Sequence, residues 1–94
     1  MKLYAIKDKG AGFTQIFTAP NNYAAQRMLT DTVNAPQPSL LTQYPGDFSL
    51  YCLGDLDQDT GVISPKTDFI IEAVNVKKNV LSPDSKGLTE QKGD

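Results

Sequence analysis

Proline placement constrains this chain more than any other feature. Pro20 closes one strand-like run, and Pro36 and Pro38 close the next segment, so a helix that starts after Pro20 stops before Pro36. A proline ring fixes φ, lacks the N–H that an interior helical turn must donate, and disfavours helix in the residue before it. Asn21 and Asn22 stand where side-chain oxygens can accept from the free N–H groups of a first turn, which predicts a helix over 23–33. Ala25, Met28, Leu29 and Thr32 share one face at helical spacing and form the expected buried stripe, with Gln26, Arg27, Thr30 and Asp31 in water.

Strand signals flank that helix. Lys2 to Lys7 are rich in strand formers, Asp8 to Gly12 supply turn chemistry, and Phe13 to Thr18 resume the alternation, which reads as a hairpin. Strict alternation puts Phe13, Gln15 and Phe17 on one side, expected to be the core. Ser39 to Pro45 suits one irregular helical turn, capped by Ser39 and ended by Pro45. Phe48 to Asp55 is a further strand, and Val62 to Ser64 a short partner across the Asp57–Gly61 turn, stopping at Pro65. Phe69 to Val76 suits a last strand or a short closing helix, and periodicity does not arbitrate. The sum is an α+β plan, β-β-α-β-β: a small, mostly antiparallel sheet with one amphipathic helix on one face.

Ninety-four residues supply one core. Residues 1–76 carry the apolar pattern. Residues 77–94 shift to Lys, Ser, Gly, Asp and Gln, too little apolar surface to offset the entropy of ordering, so a disordered polar tail is expected there. No apolar run reaches the length of a bilayer span and the first residues alternate like a strand, so no membrane association is expected and the cytoplasm is the expected compartment. Cys52 has no second cysteine to pair with, and its neighbours Leu50, Tyr51 and Leu53 favour a reduced core thiol.

Catalysis finds little here. Histidine is absent, which removes the commonest general base and the commonest transition-metal ligand. Ser39, Ser49, Thr14 and Tyr44 have no activating base. Asp55, Asp57 and Asp59 begin like a calcium loop, but the turn glycine is one place late at Gly61 and Lys66 stands where a bidentate glutamate is needed, so a solvated hairpin turn is the better reading. The expectation is a binding protein with no catalytic residue, metal or cofactor.

Two surfaces remain. Lys2, Lys7, Lys9 and Arg27 with the rings of Tyr4 and Phe13 are the types that hold single-stranded nucleic acid, cations tracking phosphates and rings stacking on bases. A net charge of −2 and a pI near 4.9 weigh against that partner unless the basic groups gather locally. Tyr51 and Leu53 alternate to the side opposite Phe48, Leu50 and Cys52, which marks them as a homodimer or partner interface.

Met1-Lys-Leu-Tyr-Ala-Ile-Lys-Asp8, Gly12-Phe13, Ala24-Ala-Gln-Arg-Met28 and the block Tyr44-Pro-Gly-Asp-Phe48-Ser-Leu-Tyr51-Cys-Leu-Gly54-Asp-Leu-Asp57 stand in this order along the chain. Together they resemble the small nonstructural protein of microviruses, the single-stranded DNA bacteriophages of the gokushovirus group, from about Met1 to Ile71. The resemblance implies a non-capsid protein acting in genome replication in the host cytoplasm, binding single-stranded viral DNA and aiding the switch to single-strand synthesis and packaging. The other expectation is a dimeric adaptor that contacts a phage or host replication protein, through Tyr51 and Leu53 or through the Asp55–Asp59 turn.

Overall fold

Hydrogen bonding pairs four strands into one antiparallel sheet in the order β2-β1-β3-β4, where β1 is Lys2–Asp8, β2 Gly12–Ala19, β3 Phe48–Leu56 and β4 Ile63–Glu72. The structure, a computed structural model, describes residues 1–78, so most of the expected polar tail, 79–94, lies outside the described residues. Helix α1, Asn22–Val33, packs on one face, and a short helix α2, Leu40–Gln43, follows it. Short 3-10 turns at Pro45–Asp47 and Ala73–Val76 lead into β3 and out of β4. This is the expected α+β plan with β-β-α-β-β order.

Local chemistry sets the helix ends. Asn21 caps α1, its side chain accepting from the Ala24 N–H at 2.9 Å. Ser39 and Thr42 form a reciprocal capping box on α2. The buried stripe of α1 is Ala25, Leu29 and Val33, a pure i, i+4, i+8 row; Met28 and Thr32, expected inside, are exposed instead. At the far end Asn34 donates to the carbonyls of Thr30 and Val76 and accepts from the Lys78 N–H at 2.7 Å. Lys77 donates to the carbonyls of Val33 and Thr42, so the first two residues of the polar segment are tied to the domain.

Two corrections and one alternative left open by the sequence concern the strands. Val62–Ser64 and Phe69 onward are not separate pieces: β4 runs unbroken through Pro65, tolerated because β4 is an edge strand with no outer neighbour to receive an N–H. The strand then gives way to a 3-10 turn at Ala73, so 69–76 is strand first and helical turn after. Phe13 and Phe17 do not share a face. Gln15 is an extra residue in β2, at φ 32°, between the pairs Ala5↔Ile16 and Ile6↔Thr14, and this bulge inverts the alternation.

The core lies between the sheet and α1. Tyr4, Ile6, Phe48, Leu50 and Cys52 from the central strands meet Ala25, Leu29 and Val33 from α1, Leu41 from α2 and Ala73. Phe17 stacks on Tyr4 with ring centroids 5.7 Å apart. Tyr4 is fully buried and its hydroxyl donates to Asn22 Oδ1 at 2.6 Å, while burial pushes the phenol pKa up. A phenol that holds its proton more tightly when folded contributes stability that is complete below the unfolded tyrosine range and is lost as pH rises through the folded value. Tyr4→Phe is expected to cost about 1 kcal/mol at neutral pH, for the lost hydrogen bond. It should also flatten the loss of stability above about pH 10. Urea melts from neutral to alkaline pH check this, and identical alkaline slopes for the two proteins would refute it. Some slope remains in the variant, because the hydrogen bond to Asp55 raises the pKa of Lys2 in the same sense.

Candidate nucleic-acid interface

The helix layer covers one side of the sheet and leaves the other open. Cross-strand partners share a face, so the registers Lys7↔Phe13, Ala5↔Tyr51 and Tyr51↔Phe69 place residues from all four strands on that open side. Three rings line up there. Phe13 and Tyr51 meet at a centroid distance of 5.2 Å and an interplanar angle of 87°, and Tyr51 and Phe69 at 5.7 Å and 79°. Phe13 is 44% exposed and Phe69 53%, with Tyr51 half-buried between them. Ala5, fully covered beneath, is small enough to let the larger side chains close over β1.

Lys7 stands over this row, its Nζ 5.4 Å from the Phe13 centroid and 5.6 Å from that of Tyr51. The other strand lysines each have a carboxylate partner at the surface. Lys2 meets Asp55 at 3.1 Å, and Lys66 meets Asp68 at 3.7 Å. Lys9, in the β1–β2 turn, donates to the Gly46 carbonyl at 2.7 Å and lies 3.8 Å from Glu72. Among the described residues, Lys7 forms no ion pair. The Lys2 ammonium in turn holds the Asp55 carboxyl below its usual range.

The expected nucleic-acid set therefore divides. Lys7 and Phe13 are brought together. Tyr4 is sealed in the core and is not available to stack on a base, because its alternation points it at α1. Arg27 lies on α1, over the Tyr23 ring at 5.7 Å, in the helix layer on the far side of the sheet. Lys2 and Lys9 have local partners. Tyr51, assigned by sequence to a protein interface, is the centre of the ring row, and Leu53 is half-buried at a bulge where the β1–β3 pairing slips between Leu3 and Tyr4.

Phe69 is the residue that sequence reasoning missed. Counting outward from the pair Leu56↔Ile63 sets Asp68 opposite Tyr51. A slip between Cys52 and Gly54 moves the register by one and brings Phe69 there instead. The cue was the turn at Asp57–Gly61, which announces the hairpin but not the slip.

Elsewhere, Asp57 shapes that turn. Its Oδ1 accepts from the N–H groups of Asp59 and Thr60 at 2.9 and 3.2 Å, and these bonds lower its pKa. Between α1, α2 and the bulged part of β2 lies a cavity of about 360 Å³ lined by Ile6, Phe17, Met28, Leu29 and Leu41, with no ionisable group. No helix of the described residues is long and apolar enough to cross a membrane.

Comparison with known proteins gives the chain a lineage. A family model described as Phage ORF5 protein matches residues 1–76, which take in all four strands and both helices. No curated protein and no solved structure matches. Because that match spans most of its length, the chain belongs to the phage ORF5 protein family.

Proposed function

We propose that this phage protein is a non-enzymatic nonstructural protein of a microvirus, of the gokushovirus group, that binds single-stranded viral DNA during genome replication in the host cytoplasm and aids the switch to single-strand synthesis and packaging. The observation that carries the reading is the row Phe13, Tyr51, Phe69 with Lys7 above it, on the sheet face opposite the helix. Antiparallel sheets with helices behind and solvent-facing rings in front are a recurrent platform for unpaired bases. Overall acidity does not forbid this, because contact is local and stacking does not depend on net charge.

A fluorescein-labelled single-stranded oligonucleotide titrated with protein at low salt tests the proposal by anisotropy. A saturable rise, with duplex of the same sequence competing poorly, is expected; a flat titration sinks it. The exposed Ile16 and Phe69 favour a second reading, in which a second copy or a phage or host replication protein covers the same face and the chain is a dimeric adaptor. Light scattering separates the two: the adaptor requires a stable dimer, or a co-purifying replication protein, that added oligonucleotide leaves intact.

A further inference from the structure

The geometry of the rings says more about how a strand would be held. A base lying flat on Phe13 is parallel to that ring and therefore almost perpendicular to Tyr51, and the same holds for a base on Phe69. Tyr51 cannot offer its face to either base. The two outer rings, both on edge strands and both more exposed than Tyr51, are thus separate stations with the nearly perpendicular Tyr51 ring between them. The ammonium of Lys7 sits over the Phe13–Tyr51 pair, between the two stations, on a path that a backbone joining two such bases can take.

Charge around the face is sparse. Lys2, Lys9 and Lys66 each have a carboxylate within 4 Å, and among the described residues Lys7 is the one strand lysine without such a partner. Phosphate-driven binding loses affinity with salt at about 0.7 of a logarithmic unit per phosphate neutralised on a single strand, so one contact leaves a shallow dependence.

We infer that the open face grips two unpaired bases, one on Phe13 and one on Phe69, with Lys7 on the phosphate linkage between them, and that it recognises exposed bases and not the charged backbone. This rests on the single-stranded DNA reading above. The ligand class is accordingly single strand whose bases are free, with duplex excluded because its bases are already stacked.

Oligonucleotides of one length and charge separate these ideas: one with every base present, one wholly abasic, and one abasic except for two neighbouring bases. Anisotropy titrations from roughly 50 to 400 mM salt supply the readout. The abasic strand is expected to bind about 30-fold or more weaker than the full strand, which is the loss of two stacks, and the strand with two bases to recover most of it. The logarithmic salt slope should be near −0.7 and fall toward zero in Lys7→Gln. If the abasic strand binds as tightly as the full one, or the slope is steeper than about −2, the two-station grip is wrong while DNA binding stands. If no strand binds even at the lowest salt, the DNA reading itself fails.

Discussion

Phe13→Ala/Phe69→Ala is expected to weaken single-stranded DNA binding by at least about 30-fold while leaving a folded protein. Each ring stacked on a base contributes about 1 to 3 kcal/mol, so losing both stations removes about 2 to 6 kcal/mol of binding free energy. Little stability goes with them. Both rings are about half exposed and sit outside the core cluster, and each loses chiefly an edge contact with Tyr51, about 0.5 to 1.5 kcal/mol per pair. Circular dichroism confirms the fold and anisotropy reads the affinity. The matched control is Arg27→Ala, on the helix layer, which should change affinity less than about twofold because it removes no contact on the sheet face. If Arg27→Ala does the greater damage, the strand runs over the helix and the open face is not the site.

Gly54→Ala should be the most damaging single change to the fold. Gly54 is buried in β3 with φ 154°, and a Cβ there would run into the Ser64 carbonyl oxygen, with Ser64 C at 3.2 Å and Pro65 Cα at 3.3 Å behind it. Backbone cannot step aside as a flexible side chain can, and β3 is held by β1 on its other edge, so relief on one side strains the other. The expected cost is about 3 kcal/mol or more, against a total of roughly 5 to 10 kcal/mol for a domain this small. The melting temperature should fall by about 12 °C or more. Gly46→Ala is the comparison: nothing lies within 4 Å of a Cβ built there, and less than about 0.5 kcal/mol is expected. Thermal melts of the two variants decide the matter, and equal midpoints would mean that the β3–β4 crossing is looser than described.

Much of the fold was legible because its signals are local. Pro20, the Pro36 and Pro38 pair, the Asn21 cap and the turn residues at Asp8–Gly12 and Asp57–Gly61 each act within a few residues, and they placed α1 and both hairpins. The faces were less legible, since alternation carries a side assignment only until the first bulge. Gln15 turned Phe13 away from the core that Phe17 joins, and the slip between Cys52 and Gly54 set Phe69 beside Tyr51. Such bulges depend on how two strands twist against each other, which no single strand's sequence states. The candidate site was therefore half visible. Lys7, Phe13 and Tyr51 were each singled out by type, but they were divided between two surfaces that the folded sheet makes one.

Asn34 has a practical corollary. By holding the Lys78 N–H beside the end of α1, it fixes Lys78, the last of the described residues, on the helix layer behind the sheet. A fluorophore placed on Lys78 itself would report from the rear of the molecule and leave the ring-bearing side accessible.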